Sequence, residues 1–93
     1  MGGDGAVGNP ATGHESRVSA LDAAVIGGRT LAVTGSDDGT ARIWDLEGGR
    51  QIGPPLAGHR GEIWTVAITP FDGRHVVLTA GRDGTVRVWD LAN

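Results

Sequence analysis

Hydrophobic and polar positions alternate along this chain in short segments that are separated by turn residues. The pattern predicts four short β-strands in each half, at 5–8, 17–23, 30–35 and 40–46, and at 50–53, 62–69, 75–80 and 85–91. The second and third strands of each half are apolar on both sides, as in Ile63 to Ile68. Strands of that kind are covered on both faces, so the pattern predicts small sheets packed between other sheets.

Proline and glycine set the expected ends of these strands. The first strand of each half is predicted to be short, because Pro10 and Pro54 stop it, and to lie at a sheet edge, because proline donates no ladder hydrogen bond. The two halves differ most at 23–27 and 68–72, and we expect the turn after the second strand to be less well defined in the first half.

An offset of 45 residues aligns the chain with itself almost without gaps. Gly13-His14 then matches Gly58-His59, and 31–34 matches 76–79. The repeat predicts a leader at 1–3 and two equal units at 4–48 and 49–93. Each unit ends in a related segment, 36–46 or 81–91, in which an Asp-Gly turn precedes a strand that ends in Trp-Asp.

These features together resemble the WD repeat of β-propeller proteins: Gly-His, an apolar strand, then Asp-Gly-Thr-x-Arg-(Ile/Val)-Trp-Asp-Leu. The resemblance implies an all-β fold class, with four-stranded antiparallel blades and two blades per chain. It also implies one buried hydrogen-bonded tetrad in each blade. Carried over by position, the tetrads are His14, Thr34, Asp38 and Trp44, and His59, Thr79, Asp83 and Trp89.

The side-chain chemistry of each set suits such a network. The indole N–H can donate to the threonine hydroxyl, the hydroxyl to one histidine nitrogen, and the other histidine N–H to the aspartate. A buried network in which every polar group has a partner favours one structure over its alternatives.

In WD-repeat propellers the outermost strand of a blade comes from the start of the next repeat. The resemblance therefore implies that 50–53 completes the blade of Trp44, whereas the blade of Trp89 lacks an outer strand and the strand at 5–8 lacks a blade. We expect head-to-tail pairing between copies and a closed ring with an even number of blades. Eight blades from four chains is the first expectation and six from three the second, within the usual range of about four to eight.

Composition narrows the classes of partner and of chemistry. The 93 residues include 17 Gly and no Cys, so neither disulfides nor thiolate metal sites are possible. The net charge is −3, and arginine is the only basic residue type besides histidine. This charge balance argues against nucleic acid and anionic membranes as partners. We expect a cytoplasmic protein, because the N-terminus has no signal-peptide pattern, and the Arg-, Ala- and Gly-rich composition suggests a bacterial source.

Candidate chemistry is sparse. Residues 3–8 match G-x-G-x-x-G, but no strand precedes them and no helix is predicted after them, so no cofactor is expected. His14 and His59 recur once per repeat, which indicates a structural role rather than catalysis or metal binding. Arg42 and Arg87 are expected to pack within the blades, with their guanidinium groups near Asp45 or Asp90.

Trp64 differs from these repeated positions, because its counterpart in the first repeat is Ser19. The resemblance places it at the start of the innermost strand, near the rim of the central channel, where it suits partner recognition or packing between blades. Ser19 and Asp22 are the candidates for a polar site in the channel.

The sequence leaves three functions open. The first hypothesis is a non-enzymatic propeller scaffold that binds itself and a protein or peptide. The second is a small-ligand or metal site in the central channel. The third is an engineered or excised fragment with no activity beyond assembly.

Overall fold

The computed structural model describes residue 14 and residues 16–91, which form seven strands in two antiparallel sheets. The strands are β1 (Val18–Ile26), β2 (Arg29–Ser36), β3 (Thr40–Asp45), β4 (Arg50–Ala57), β5 (Ile63–Phe71), β6 (Arg74–Gly81) and β7 (Val86–Asp90). The first sheet has the order β1-β2-β3-β4 and the second the order β5-β6-β7. This architecture confirms the all-β fold class. Within the described part of the chain, no helix is long and apolar enough to cross a bilayer.

The β1–β2 and β5–β6 hairpins close on two-residue turns. Gly27 and Gly28 have φ angles of 60° and 81°, and Asp72 and Gly73 have 55° and 77°. Two successive positive φ values match the right-handed twist of a hairpin, which explains the glycines. The prediction of a poorly defined first turn was therefore wrong, and the strands before both turns extend further than expected, to Ile26 and Phe71.

The outer strand β4 continues past its prolines to Ala57. Ala41 pairs with Leu56 and Ile43 with Ile52, so residues 53–55 bulge opposite Arg42 alone. Gly53 supplies the left-handed backbone at this bulge, with φ 69°. The prediction that proline ends this strand was wrong, because a bulge on an edge strand needs no N–H donor from either proline.

The two sheets pack face to face around one apolar core. We call the face that bears Val33 and Ile43, or their counterparts 45 residues later, the forward face of each sheet, and the opposite face its back face. The forward face of the first sheet packs on the back face of the second, where the core residues Val33, Ala41, Ile43, Ile63, Val66 and Val77 are buried.

Gly35 lies where this packing is closest. A Cβ at Gly35 would lie 2.6 Å from Ile63 Cγ2 and 3.0 Å from Val66 Cγ1. No side chain fits there without displacing the second sheet, so the packing requires glycine at this point of the interface.

Candidate functional site

The second sheet contains a connected set of polar side chains at its loop end. Thr79 Oγ1 accepts from Trp89 Nε1 at 2.9 Å and lies 2.7 Å from His59 Nε2. His59 Nδ1 lies 3.2 Å from Asp83 Oδ1. β6 supplies the threonine and β7 the tryptophan, while the loop before β5 and the turn after β6 supply the histidine and the aspartate. The structure thus brings the four predicted residues together.

The first sheet repeats this arrangement with a looser end. Thr34 Oγ1 accepts from Trp44 Nε1 at 2.9 Å and lies 2.7 Å from His14 Nε2. The distance from His14 Nδ1 to Asp38 Oδ2 is 3.6 Å, longer than in the second sheet. The edge of the His14 ring also approaches the Trp44 indole, with the ring centroids 6.4 Å apart.

One protonation state satisfies every member of a tetrad. The threonine hydroxyl accepts the indole N–H and has a single proton, which it donates to histidine Nε2. The histidine is then neutral and carries its own proton on Nδ1, which faces the aspartate. All the donors are used within the network, so the arrangement provides rigidity and leaves no activated nucleophile.

One residue in each network has a shifted pKa. Hydrogen bonds from the Arg60 backbone N–H and the Thr85 hydroxyl hold the pKa of Asp83 well below its usual range. Burial lowers the pKa of His14, and the nearby Asp38 carboxylate offsets part of that effect. The His14 shift favours the neutral imidazole, and the Asp83 shift favours the ionised carboxylate.

A fifth residue in each network escaped the sequence analysis. Thr40 Oγ1 donates to Asp38 Oδ1 at 2.6 Å, and Thr85 Oγ1 donates to Asp83 Oδ1 at 2.7 Å. The signal was present, since threonine follows the Asp-Gly turn in both repeats. Each hydroxyl also lies 3.3 Å from the histidine Nδ1, so it orients the carboxylate beside the histidine.

The expected partners of Arg42 and Arg87 were wrong. Arg42 Nη1 donates to Gln51 Oε1 at 2.9 Å, whereas the carboxylates pair with Arg29 at Asp45 and with Arg74 at Asp90. Residues three apart on a strand point to opposite faces, so Arg42 cannot reach Asp45 on its own strand.

Ser19 and Asp22 join the two sheets. The Ser19 hydroxyl donates to the Ile63 carbonyl, and Asp22 Oδ2 accepts from the Ile68 N–H at 2.8 Å. Trp64, the counterpart of Ser19, is 63% exposed. The structure therefore separates the three predicted binding residues, with two inside the sheet interface and one on the open surface.

The exposed apolar side chains are concentrated on two open faces. The back face of the first sheet presents Val18, Leu21 and Val25, with Leu46 at its end, and the forward face of the second presents Phe71, Val86 and Val88, with Trp64 at its start. Among the described residues, no group of three or more histidine, aspartate or glutamate side chains is arranged to hold a metal ion.

Two stacked antiparallel sheets, each with a tryptophan–threonine–histidine–aspartate network, define a β-propeller-like repeat protein. The family model for the WD domain, G-beta repeat, matches residues 9–45 and 51–90, and the chain belongs to that family. No curated protein matches the sequence significantly.

A solved structure extends this likeness. The crystal structure of the computationally designed Ika4 protein is 31% identical to the chain and superimposes with a TM-score of 0.65. The match covers 86% of this chain and 44% of that one, so the chain spans less than half of the length of its structural neighbour.

The tetrad leads to a prediction for Thr79→Val, a substitution of nearly equal shape. It removes the common partner of Trp89 Nε1 and His59 Nε2, and we expect the free energy of unfolding to fall by about 2 kcal/mol. Chemical denaturation followed by tryptophan fluorescence measures the change. Thr69→Val is the matched control, because that hydroxyl makes a single local bond to the Pro70 carbonyl at 3.4 Å. Equal losses in the two variants would contradict the assigned role.

The pKa shifts predict two windows of acid destabilisation. The folded chain resists protonation of His14 and Asp83 more than the unfolded chain does. The stability that each group contributes is therefore full above its unfolded pKa and is lost as the pH falls from there through its folded pKa. We expect His14→Gln to flatten the stability profile below about pH 6.5, and Asp83→Asn to flatten it below about pH 4. Denaturation midpoints across pH measure both slopes, and each variant serves as the control for the other. A variant with the wild-type slope in its own window would overturn that assignment.

Proposed function

We propose that the chain is a cytoplasmic, non-enzymatic scaffold for protein–protein interaction that assembles head to tail with copies of itself into a closed ring. One comparison carries the proposal. Val86 and Val88 are 70% and 61% exposed, whereas their counterparts Ala41 and Ile43 are 0% and 8% exposed. Equivalent residues are thus buried where a second sheet covers them and exposed where none does, and a second copy supplies the missing cover.

The back face supports the same arrangement. Val18 and Leu21 are 51% and 68% exposed, while their counterparts Ile63 and Val66 are 0% and 8% exposed. The two open faces are therefore the two halves of one interface, and they occur on opposite sides of the chain. Contacts between unlike faces are heterologous, and they form a ring when the rotation per chain divides the circle.

Strand exchange accompanies this contact in the proposed assembly. β4 completes the first sheet, and the same offset assigns the corresponding strand of the second sheet to residues 5–12 of the next copy. The strand expected at 5–8 lies outside the described residues, as do the start of the proposed unit 4–48 and the end of the proposed unit 49–93. Each chain contributes two sheets, so the ring has an even number of blades, with eight from four chains as the first proposal and six from three as the second.

The tetrads are assigned a structural role in this proposal. The same side chains recur in both sheets, and each network is saturated by its own hydrogen bonds. Ser19 and Asp22 are occupied by Ile63 and Ile68, which argues against a ligand or metal site built on them in the channel. The similarity to a designed protein supports the alternative that the chain is an engineered or excised fragment, whose only activity would be assembly.

Light scattering tests the assembly. The proposal predicts a particle of four times the 9.5 kDa chain mass at micromolar concentration, with three times that mass as the second expectation. A monomer throughout the accessible concentration range would overturn the proposal.

Engineered cysteines test the same contact directly, in a chain that has none of its own. An ideal Cβ at Gly35 lies 3.2 Å from Ile63 Cβ, and the equivalent pair between copies is Ala80 and Val18. Disulfides need Cβ atoms about 4 Å apart, so Val18→Cys with Ala80→Cys should oxidise to a covalent species that stops at the ring size. Val25→Cys with Ala80→Cys is the control that should stay uncrosslinked, because Val25 lies at the far end of β1.

Trp64 is assigned to packing between copies in this scheme. The Ser19 hydroxyl reaches the Ile63 carbonyl of the neighbouring sheet, so the corresponding position on the second sheet faces the next copy at the backbone of Val18. A half-exposed indole that becomes covered on association is a typical anchor of an interface.

Trp64→Ser is predicted to weaken association about tenfold, because it replaces the anchor by the residue of the first repeat. Sedimentation across a dilution series measures the change. Phe71→Ser is a comparison at the far end of the same face. If Trp64→Ser leaves the assembly unchanged, the residue is available for recognition of a different partner.

A further inference from the structure

The two open faces are not simple copies of the buried interface between the sheets. On the forward face, the three buried core positions and the closely packed Gly35 change between the repeats. These changes are Val33 to Leu78, Gly35 to Ala80, Ala41 to Val86 and Ile43 to Val88. The forward face of the second sheet is therefore bulkier than the face that the first sheet buries.

The back face changes in the opposite direction. Its three buried core positions are Ile63, Val66 and Val77 in the second sheet, and Val18, Leu21 and Ala32 in the first. Over these positions the open back face loses two side-chain carbon atoms, while the open forward face gains two at its three buried core positions and one more at Ala80. The paired faces thus keep the apolar volume of the buried core to within about one carbon atom, and close packing tolerates little change in volume.

The closest contact shows why the exchange matters. In the buried interface Gly35 leaves room for Ile63, and a Cβ there would lie 2.6 Å from Ile63 Cγ2. Between copies the corresponding position is Ala80, and it faces Val18 in place of isoleucine. The valine lacks the δ-methyl of isoleucine, which gives the side chain room to shift away from the added alanine methyl.

We infer that this redistribution of volume makes the two open faces a size-matched pair, with Ala80 and Val18 as its specificity-determining residues and a second copy of the chain as its occupant. The inference rests on the proposed head-to-tail assembly and adds the pairing rule. A foreign partner would have no reason to match the volume lost on one face to the volume gained on the other. The rule also favours joining unlike faces of different copies over two like faces.

A cycle of two substitutions tests the pairing. Val18→Ile restores the larger residue against Ala80, and we expect association to weaken about tenfold through overpacking. Ala80→Gly recreates the glycine of the first sheet and should weaken association only slightly on its own. The double variant restores the Gly35–Ile63 pair between copies, and its dissociation constant should return to within about threefold of the wild-type value.

The reverse exchange at the buried interface within the chain provides a matched control. Gly35→Ala should destabilise the fold, and adding Ile63→Val should recover part of the loss, with no change of the pairing between copies. The outcomes of the association cycle are distinct. If the wild-type chain assembles but Val18→Ile is neutral, or the double variant is no better than Val18→Ile, the pairing rule is overturned while the assembly stands. If the wild-type chain is monomeric, the assembly itself fails.

Discussion

The packing of one sheet face on the next is the interaction on which the rest of this structure depends. Val33 from the first sheet meets Ile63 and Val77 from the second, and all three are fully buried. A small sheet with two apolar faces needs a neighbour on each side, because neither face can remain in water without cost. Two sheets cover only the two faces between them, so the back face of the first sheet and the forward face of the second stay exposed.

Different interactions act within a sheet and between sheets. The tetrads connect the loop before β1 or β5 to the next two strands of the same sheet and to the turn between them, so they fix the shape of a single sheet. The contacts between sheets are mostly apolar, with two added hydrogen bonds from Ser19 and Asp22 inside the chain. At the open forward face Trp64 and Ala67 occupy the corresponding positions, so a contact there depends more on apolar area and shape.

The difference between contacts within a sheet and contacts between sheets matters for how the chain would bind a partner. Members of the family are suited to interaction because stacked sheets present loops on two rims, and the chain carries the loops of two sheets. In the proposed ring, the channel and the continuous rims exist only after association. A binding surface of that kind depends on chain concentration, since its formation and the burial of the open faces are the same event.

Sequence reasoning was most successful where chemistry is local and repeated. The Asp-Gly turns, the alternating strands and the family membership follow from residues within each unit, and the resemblance to the WD repeat implied the eight tetrad residues. It failed at β4, where a bulge carries the strand past Pro54, and at Arg42, whose strand geometry points it away from Asp45. Thr40 and Thr85 were visible in the repeat but had no assigned partner.

What the sequence determined by itself, then, is the class of fold and the identity of the repeated polar residues, because both depend on patterns within one unit. Only the tertiary structure decided which apolar residues are covered. Ala41 and Val86 occupy the same position in the repeat, and one is buried while the other is exposed. Burial is a property of what lies opposite a side chain, and that neighbour comes from a different sheet, far along the sequence or in another copy.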